Sequence, residues 1–135
     1  MRNFRIIRYP IVYASLCILM HYECENELRS ILEKSGKKPR FKAAFKTRLD
    51  FLVQHWAIAP TLHHQWFEVL LGKQGISSMK FINIDNIRIL YILKGNTAFL
   101  LYAFKETSTA TSDDPKSYKH ACEIASTRIV DIEEV

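Results

Sequence analysis

Between Met79 and Lys105 the chain carries three β-rich runs in immediate succession, and no other stretch limits the fold as tightly. Met79–Ile84, Asn86–Lys94 and Thr97–Lys105 are punctuated by Asp85-Asn86 and Gly95-Asn96, pairs that tolerate the backbone conformations of tight turns. Links this short join antiparallel neighbours, so the spacing predicts a three-stranded meander. The segments IRILYIL and TAFLLYAF are almost continuously apolar, which predicts central strands buried on both faces for much of their length.

The flanks read as helices and one further strand. Phe4–Leu19 is rich in β-branched and aromatic residues and is broken at Pro10, which predicts a buried strand over Ile11–Leu19 and a short edge segment at Phe4–Tyr9. Glu25–Ser35 places Leu28, Ile31 and Leu32 on one helical face, with Gly36 as its C-cap. Phe41, Phe45, Leu49, Leu52 and Trp56 recur at helical spacing while Lys38, Lys42 and Lys46 fall on another face, giving an amphipathic helix that ends near Pro60. A second short helix is predicted over Leu62–Leu71, with Trp66, Phe67 and Leu70 against the core and Gly72 and Gly75 bracketing the next turn. After the polar segment Ser108–Lys116, Asp113-Asp114-Pro115 prepares a helix start. Tyr118, Ala121, Cys122, Ala125, Ile129 and Ile132 mark the apolar face of that C-terminal helix. The expected class is α/β of the α+β kind: an N-terminal strand, a helical hairpin, an antiparallel meander and a C-terminal helix.

A length of 135 residues, 48% of them apolar, suits a single domain with its own core, and four Gly with four Pro leave little for long linkers. The net charge of +5 is unevenly placed: Lys34, Lys37, Lys38, Arg40, Lys42, Lys46 and Arg48 follow one another without an acid between them. Such a block is either a solvated helix face or a positive field for phosphates or an acidic partner. Cys17, Cys24 and Cys122 are odd in number and lack CxxC spacing, which predicts reduced thiols in a cytoplasmic protein and no structural zinc. Arg2, Arg5 and Arg8 before Ile11–Met20 mimic a signal peptide. Pro10 splits that stretch, no small-residue cleavage site follows, and the apolar run is too short to span a bilayer.

From Trp66 to Arg128 the sequence resembles the RelE/HigB toxin superfamily, in particular its phage-derived Gp49-like branch. The matching positions are Leu71-Gly72, Gly75-Ile76-Ser77-Ser78-Met79-Lys80, Asn86-Ile87-Arg88-Ile89-Leu90-Tyr91, Leu100-Leu101-Tyr102-Ala103-Phe104-Lys105-Glu106-Thr107, and a helix with Ala121 and Ala125. Ser77-Ser78 stand where the family has Tyr-Glu, Lys80 where it has Arg, and Glu106 where it has a second Lys; residues 1–10 read as an extension. The resemblance implies a RelE-like single domain over 1–135. It implies a type II toxin that cleaves messenger RNA on the ribosome without a metal or cofactor, with a cognate antitoxin as partner. Relatives of this fold that inhibit protein targets such as gyrase imply the alternative, a binder without catalysis, and an inactive mobile-element relic is a third reading.

In family members the 2′-hydroxyl of RNA attacks the neighbouring phosphate, a reaction served by cations around the non-bridging oxygens and by groups that accept and supply a proton. Arg88 is the first candidate, because a charge within an apolar strand must be paired or face a functional cleft, and its planar fork suits a phosphate. The alternative for Arg88 is an ion pair with Glu68, Glu106 or a C-terminal acid. Lys80 and Lys105 are expected to line the same sheet face, with Glu106 as the candidate base. Tyr118, His120, His63 and His64 are further proton carriers to which no role is assigned. Lys37, Lys38, Arg40, Lys42, Lys46 and Lys94 are the expected RNA-binding set, and the α-helical part of it is equally suited to an acidic antitoxin segment.

Overall fold

The computed structural model describes residues 3–6, 16–70, 75–106 and 116–134. The meander is present, with β4 at Ser77–Phe81, β5 at Ile87–Lys94 and β6 at Thr97–Lys105. Asp85 and Asn86 adopt positive φ of 52° and 54° and Gly95 adopts 61°, so both turns use the residues best suited to the left-handed region. The register pairs Ile87 with Phe81 and with Lys105, and Lys94 with Thr97. Leu101 has no partner on β5, because Leu90 faces Tyr102 and Tyr91 faces Leu100. This β-bulge adds one residue to β6 and turns both Leu101 and Tyr102 toward the same side.

The predicted helix over Leu62–Leu71 is replaced by two shorter elements. Pro60 opens a single helical turn, α3, at Ala59–Leu62, and Phe67–Val69 forms β3, antiparallel to β4 with Phe67 opposite Met79. Phe67 is fully buried whereas Glu68 and Val69 are exposed, which fits a short edge strand better than a helix face. At the other edge, β1 (Phe4–Ile6) pairs antiparallel with β2 (Cys17–His21), and β2 runs parallel to β6. The sheet order is β1-β2-β6-β5-β4-β3. Within the predicted first strand, residues 11–15 lie outside the described residues, as do residues 7–9 of the predicted edge segment; β2 continues past Leu19 to His21. There His21 caps α1 (Tyr22–Ser35): its Nδ1 accepts from the Glu23 N–H and its Nε2 donates to Asp131 at 2.7 Å. The predicted helix start at Asp113-Asp114-Pro115 also lies outside the described residues, as do Leu71, Gly72 and Thr107.

Alternation along the strands divides the sheet into two covered faces. Ile87, Ile89, Tyr91, Met79, Phe81, Ile18 and Met20 meet α1 and α2 (Lys38–His55) through Leu28, Phe41, Leu49 and Leu52. Leu90, Ile92, Phe99, Leu101 and Leu19 meet Ala121, Cys122 and Ala125 of α4 (Lys116–Ile129) and Ile132 beyond it. Every residue from Ile87 to Ile92 is buried, so β5 is the centre of the molecule, as its apolar run predicts. None of the three cysteines is in a disulfide; Cys24 is wholly buried, and burial pushes its thiol far above its ordinary pKa. Among the described residues no helix is long and apolar enough to cross a membrane.

One ion pair completes the sheet where strand pairing stops. The β2–β6 ladder ends at Met20 opposite Leu100, and among the described residues the next polar groups of β6 have no strand beside them on that edge. Glu27 of α1 accepts the Ala103 N–H at 3.3 Å, and Arg128 of α4 donates to the Leu101 carbonyl at 2.7 Å. The two side chains also form a two-point fork with each other at 2.7 and 2.8 Å, so helices on opposite faces are tied through the edge of β6. Arg128→Met removes one half and leaves the Glu27 carboxylate half-buried. This change is expected to cost about 2 kcal/mol in urea unfolding, less than a fully buried pair because both groups retain some solvent. A loss under about 0.5 kcal/mol would show that the pair does not hold α4 in place.

Candidate functional site

The face covered by α4 gathers most of the expected catalytic residues at one end of the sheet. Lys80 lies opposite Arg88, and Arg88 opposite Phe104, so the side chains of Lys80, Arg88 and Glu106 share that face. Lys105 is opposite Ile87 and therefore points to the other face. The expected set is thus split by the sheet itself. Consecutive residues of one strand point in opposite directions, and Lys105 with Glu106 are consecutive.

Arg88 does not face an open functional cleft; it takes the other course open to it from sequence, an ion pair with Glu106. Its side chain is 9% exposed, and Nη2 and Nε both donate to Glu106 Oε2, at 2.6 and 2.8 Å. The physical reason is the strand's position: a cation at the start of a doubly covered strand costs too much without a carboxylate partner. Glu106 takes only one edge of the guanidinium. Among the described residues Nη1 is buried with no hydrogen-bond partner, and Ser78 Oγ on the same face is likewise buried and unpartnered. Two unmet polar groups beside one ion pair are unusual in a folded interior, where such groups nearly always find partners.

Tyr118, to which the sequence assigns no role, completes the cluster. It stands at the start of α4 with its ring edge-on to Phe104 at 5.7 Å, and Arg88, Glu106, Ser78 and Glu68 all act electrostatically on its hydroxyl. The hydroxyl faces Ser78 without reaching hydrogen-bond geometry, which leaves Ser78 Oγ unmatched. Burial, outweighing the Arg88 charge, pushes the phenol up to about 12. Lys80 is only loosely engaged, with Nζ 3.8 Å from a Glu68 oxygen. The arrangement therefore comprises a buried cationic fork with one unpartnered end, a loosely held lysine, a half-buried carboxylate and a phenol that stays protonated. That inventory suits an anion whose reaction requires proton transfer. The sequence signal for Tyr118 is weak because helical spacing places it on the apolar face, where packing is the ordinary explanation.

The expected RNA-binding residues divide between two ends of the molecule. Lys37 caps the start of α2 and pairs with Asp85 at 2.7 Å, and Lys38, Arg40, Lys42 and Lys46 lie exposed along the helix. Lys37 and Lys105 meet in a cleft of about 410 Å³ with Ser30, Ile31, Lys34, Ser35 and Asp85. Lys94 is exposed beside the Gly95-Asn96 turn, six residues along β5 from Arg88 and so roughly 20 Å away, and belongs to neither group. Arg48, the last base of the block, is turned inward: its guanidinium lies 4.5 Å from the Trp66 ring and donates to the Lys80 carbonyl, and burial lowers its pKa to about 10. His63 stacks on the same Trp66 ring at 4.0 Å, while His64 and His120 are exposed. Among the described residues no group of three His, Cys, Asp or Glu could hold a metal ion.

The cluster sets two expectations for stability. Because the folded-state pKa of Tyr118 lies above the ordinary phenol value of 10, its contribution to stability is complete below pH 10 and is lost as pH rises towards 12. Urea midpoints measured across that range should fall less steeply for Tyr118→Phe than for the parent; parallel curves would show that the hydroxyl is not desolvated. Ser78→Ala removes a buried oxygen with no partner and is expected to leave stability unchanged or to raise it by up to about 1 kcal/mol. A drop in stability larger than about 1 kcal/mol would instead reveal a hydrogen bond to the Ser78 hydroxyl. Compared with known proteins, the chain matches no protein-family model, no curated relative and no solved structure.

Proposed function

We propose that this protein is a toxin of the RelE/HigB kind, the effector of a type II toxin–antitoxin pair, which engages messenger RNA on the ribosome in the cytoplasm and cleaves it without a metal. The observation that supports this reading is the grouping of Arg88, Lys80, Glu106 and Tyr118 at one end of one sheet face; Arg88 is buried against Glu106, so the reading requires its Nη1 to be uncovered before it meets RNA. The described elements include the strand, helical hairpin, meander and C-terminal helix of the expected order, to which β1, a helical turn and β3 are added, and this α+β arrangement is a supporting observation.

In this mechanism the Glu106 carboxylate accepts the proton of the RNA 2′-hydroxyl as that oxygen attacks the adjacent phosphorus. Glu106 also fixes Arg88 through Nε and Nη2, and Nη1, buried in the free protein, donates to a non-bridging oxygen once the cover over it opens to admit the RNA. Lys80, with its long approach to Glu68, supplies a second positive charge. The bond from phosphorus to the 5′ oxygen breaks, giving a cyclic phosphate, and the Tyr118 hydroxyl passes its proton to the departing oxygen, to be reprotonated from solvent as Glu106 releases the proton it took. A phenol with a pKa of about 12 keeps its proton at neutral pH, so its role is that of donor and not base. The exposed bases of α2 then bind ribosomal RNA or, in the inhibited state, an acidic segment of the antitoxin.

A second reading is favoured by one observation, the closure of Arg88 by Glu106 where the family carries a lysine. In that reading the protein keeps the toxin fold and inhibits a protein target, in the manner of gyrase-binding relatives, without cutting RNA. Expression followed by primer extension on translated messages separates the two. Growth arrest with discrete cuts is expected from the parent and no cuts from Arg88→Ala. Glu106→Gln should reduce cleavage at least about 100-fold, the scale of a removed general base. Intact transcripts with inhibited supercoiling would establish the second reading, and harmless expression would mark an inactive relic.

A further inference from the structure

On the opposite face from Arg88, yet at the same end of the sheet, the cleft at the α1–α2 junction contains three lysines from three different elements. Lys34 comes from the last turn of α1, Lys37 from the cap of α2, and Lys105 from the end of β6. Ser30 and Ser35 add hydroxyl groups and Ile31 an apolar floor. Lys34 and Lys105 are exposed, and Lys37 is tethered to Asp85. The start of α2 adds to this field. It has Pro39 in its first turn, no acidic residue there and no side-chain cap, so the positive end of an 18-residue helix is not neutralised by its own sequence.

Asp85 is the acid within this group. The hydrogen bond from Lys37 holds its carboxyl below the usual carboxylate range, with further pull from Lys37, Lys105 and Arg40. An anion placed where three cations converge is the natural internal stand-in for an external one. Its position is set by the turn, because Asp85 and Asn86 must occupy the left-handed region between β4 and β5. The same turn is joined to the other face: the Asn86 carbonyl accepts from the Glu106 N–H, and Asn86 Nδ2 donates to the Glu106 carbonyl. Lys105 and Glu106 therefore leave one strand end in opposite directions, one towards the cleft and the other to Arg88.

We infer that the cleft lined by Lys34, Lys37 and Lys105 is a second phosphate subsite, occupied by the backbone of the same RNA strand as it passes over the end of β6 from the Arg88 face. The inference rests on the RNA-binding reading above but requires no cleavage. A strand crossing that rim meets Lys105 and Glu106 in turn, and Lys37 exchanges Asp85 for a phosphodiester oxygen. The subsite adds affinity and fixes the polarity of the strand, while the proton-transfer groups remain on the other face.

The test uses the full chain and a short single-stranded RNA carrying 2′-methoxy groups, with binding followed by fluorescence anisotropy across a salt series. Removing one lysine that neutralises a phosphate should reduce the slope of log K against log salt by roughly 0.7 for a single strand, so Lys34→Ala with Lys105→Ala is expected to lower it by about 1.4. Asp85→Asn keeps a side chain that accepts positive φ and removes the competing charge. It should tighten binding roughly 2- to 5-fold, whereas disruption of a merely structural ion pair would leave RNA affinity unchanged or weaken it. An unchanged slope in the double variant, or RNA affinity that fails to rise in Asp85→Asn, overturns the subsite. A nucleoside monophosphate provides the control for source: millimolar binding abolished by Lys105→Ala, with an unaltered RNA slope, reassigns the cleft to a free phosphomonoester and overturns the strand path. Arg88→Ala should abolish cleavage while retaining the cleft's share of the slope, which separates failure of this subsite from failure of the nuclease reading.

Discussion

A guanidinium at the start of a strand that is covered on both faces has to be matched, and the way Arg88 is matched governs what this fold can do. β5 is buried from Ile87 to Ile92, with helices α1 and α2 on one side and α4 on the other. Leaving that charge alone would cost several kcal/mol. Glu106 meets it at 2.6 Å but occupies a single edge of the fork. What remains is a donor, Nη1, that is desolvated and, among the described residues, unspent. A donor of this kind is an energetic liability in a purely structural pair and an asset when a phosphate oxygen arrives. The unpartnered Ser78 oxygen and the protonated Tyr118 lie on the same face, so the liability is concentrated in one place.

The remainder of the molecule holds that place steady. Glu27 and Arg128 close the free edge of β6 and fasten α4, the element that carries Tyr118, to α1 on the far face. His21 joins the end of β2 to Asp131, just beyond α4, through its buried ring. The bulge at Leu101 turns two successive side chains under α4 and lets Arg128 lie over Tyr102 at 5.3 Å. These interactions position the helix, and with it Tyr118 beside Arg88 and Glu106.

Much of this is legible in the sequence, for identifiable reasons. The meander is readable because its turns use Asp85-Asn86 and Gly95-Asn96, and the C-terminal helix because Ala121, Cys122 and Ala125 keep helical spacing. The segment Trp66–Leu70 reads as a helix because its apolar spacing fits one, whereas the pairing of Phe67 with Met79 is a property of β4 and not of the segment. The parallel alignment of β2 with β6 is likewise non-local. An ion pair with Glu106 is one of the alternatives open to Arg88 from sequence, yet its geometry, with one edge filled and one free, is set by strand register. Lys105 departs from the Arg88 face for a simpler reason: strand parity, readable from its neighbour Glu106, forbids both from pointing the same way.

Cleavage by this site requires Arg88 Nη1 to receive a phosphate while Glu106 remains beside the sugar. The most direct measurement is a structure of the protein on a ribosome carrying a message with a 2′-methoxy group at the decoding site, which permits binding and blocks attack. A non-bridging phosphate oxygen is expected within hydrogen-bond distance of Arg88 Nη1, about 2.7–2.9 Å, with the Glu106 carboxylate facing the modified 2′ oxygen. A complex in which the message touches only α2, with the Arg88–Glu106 pair sealed and turned away from it, would contradict the nuclease mechanism.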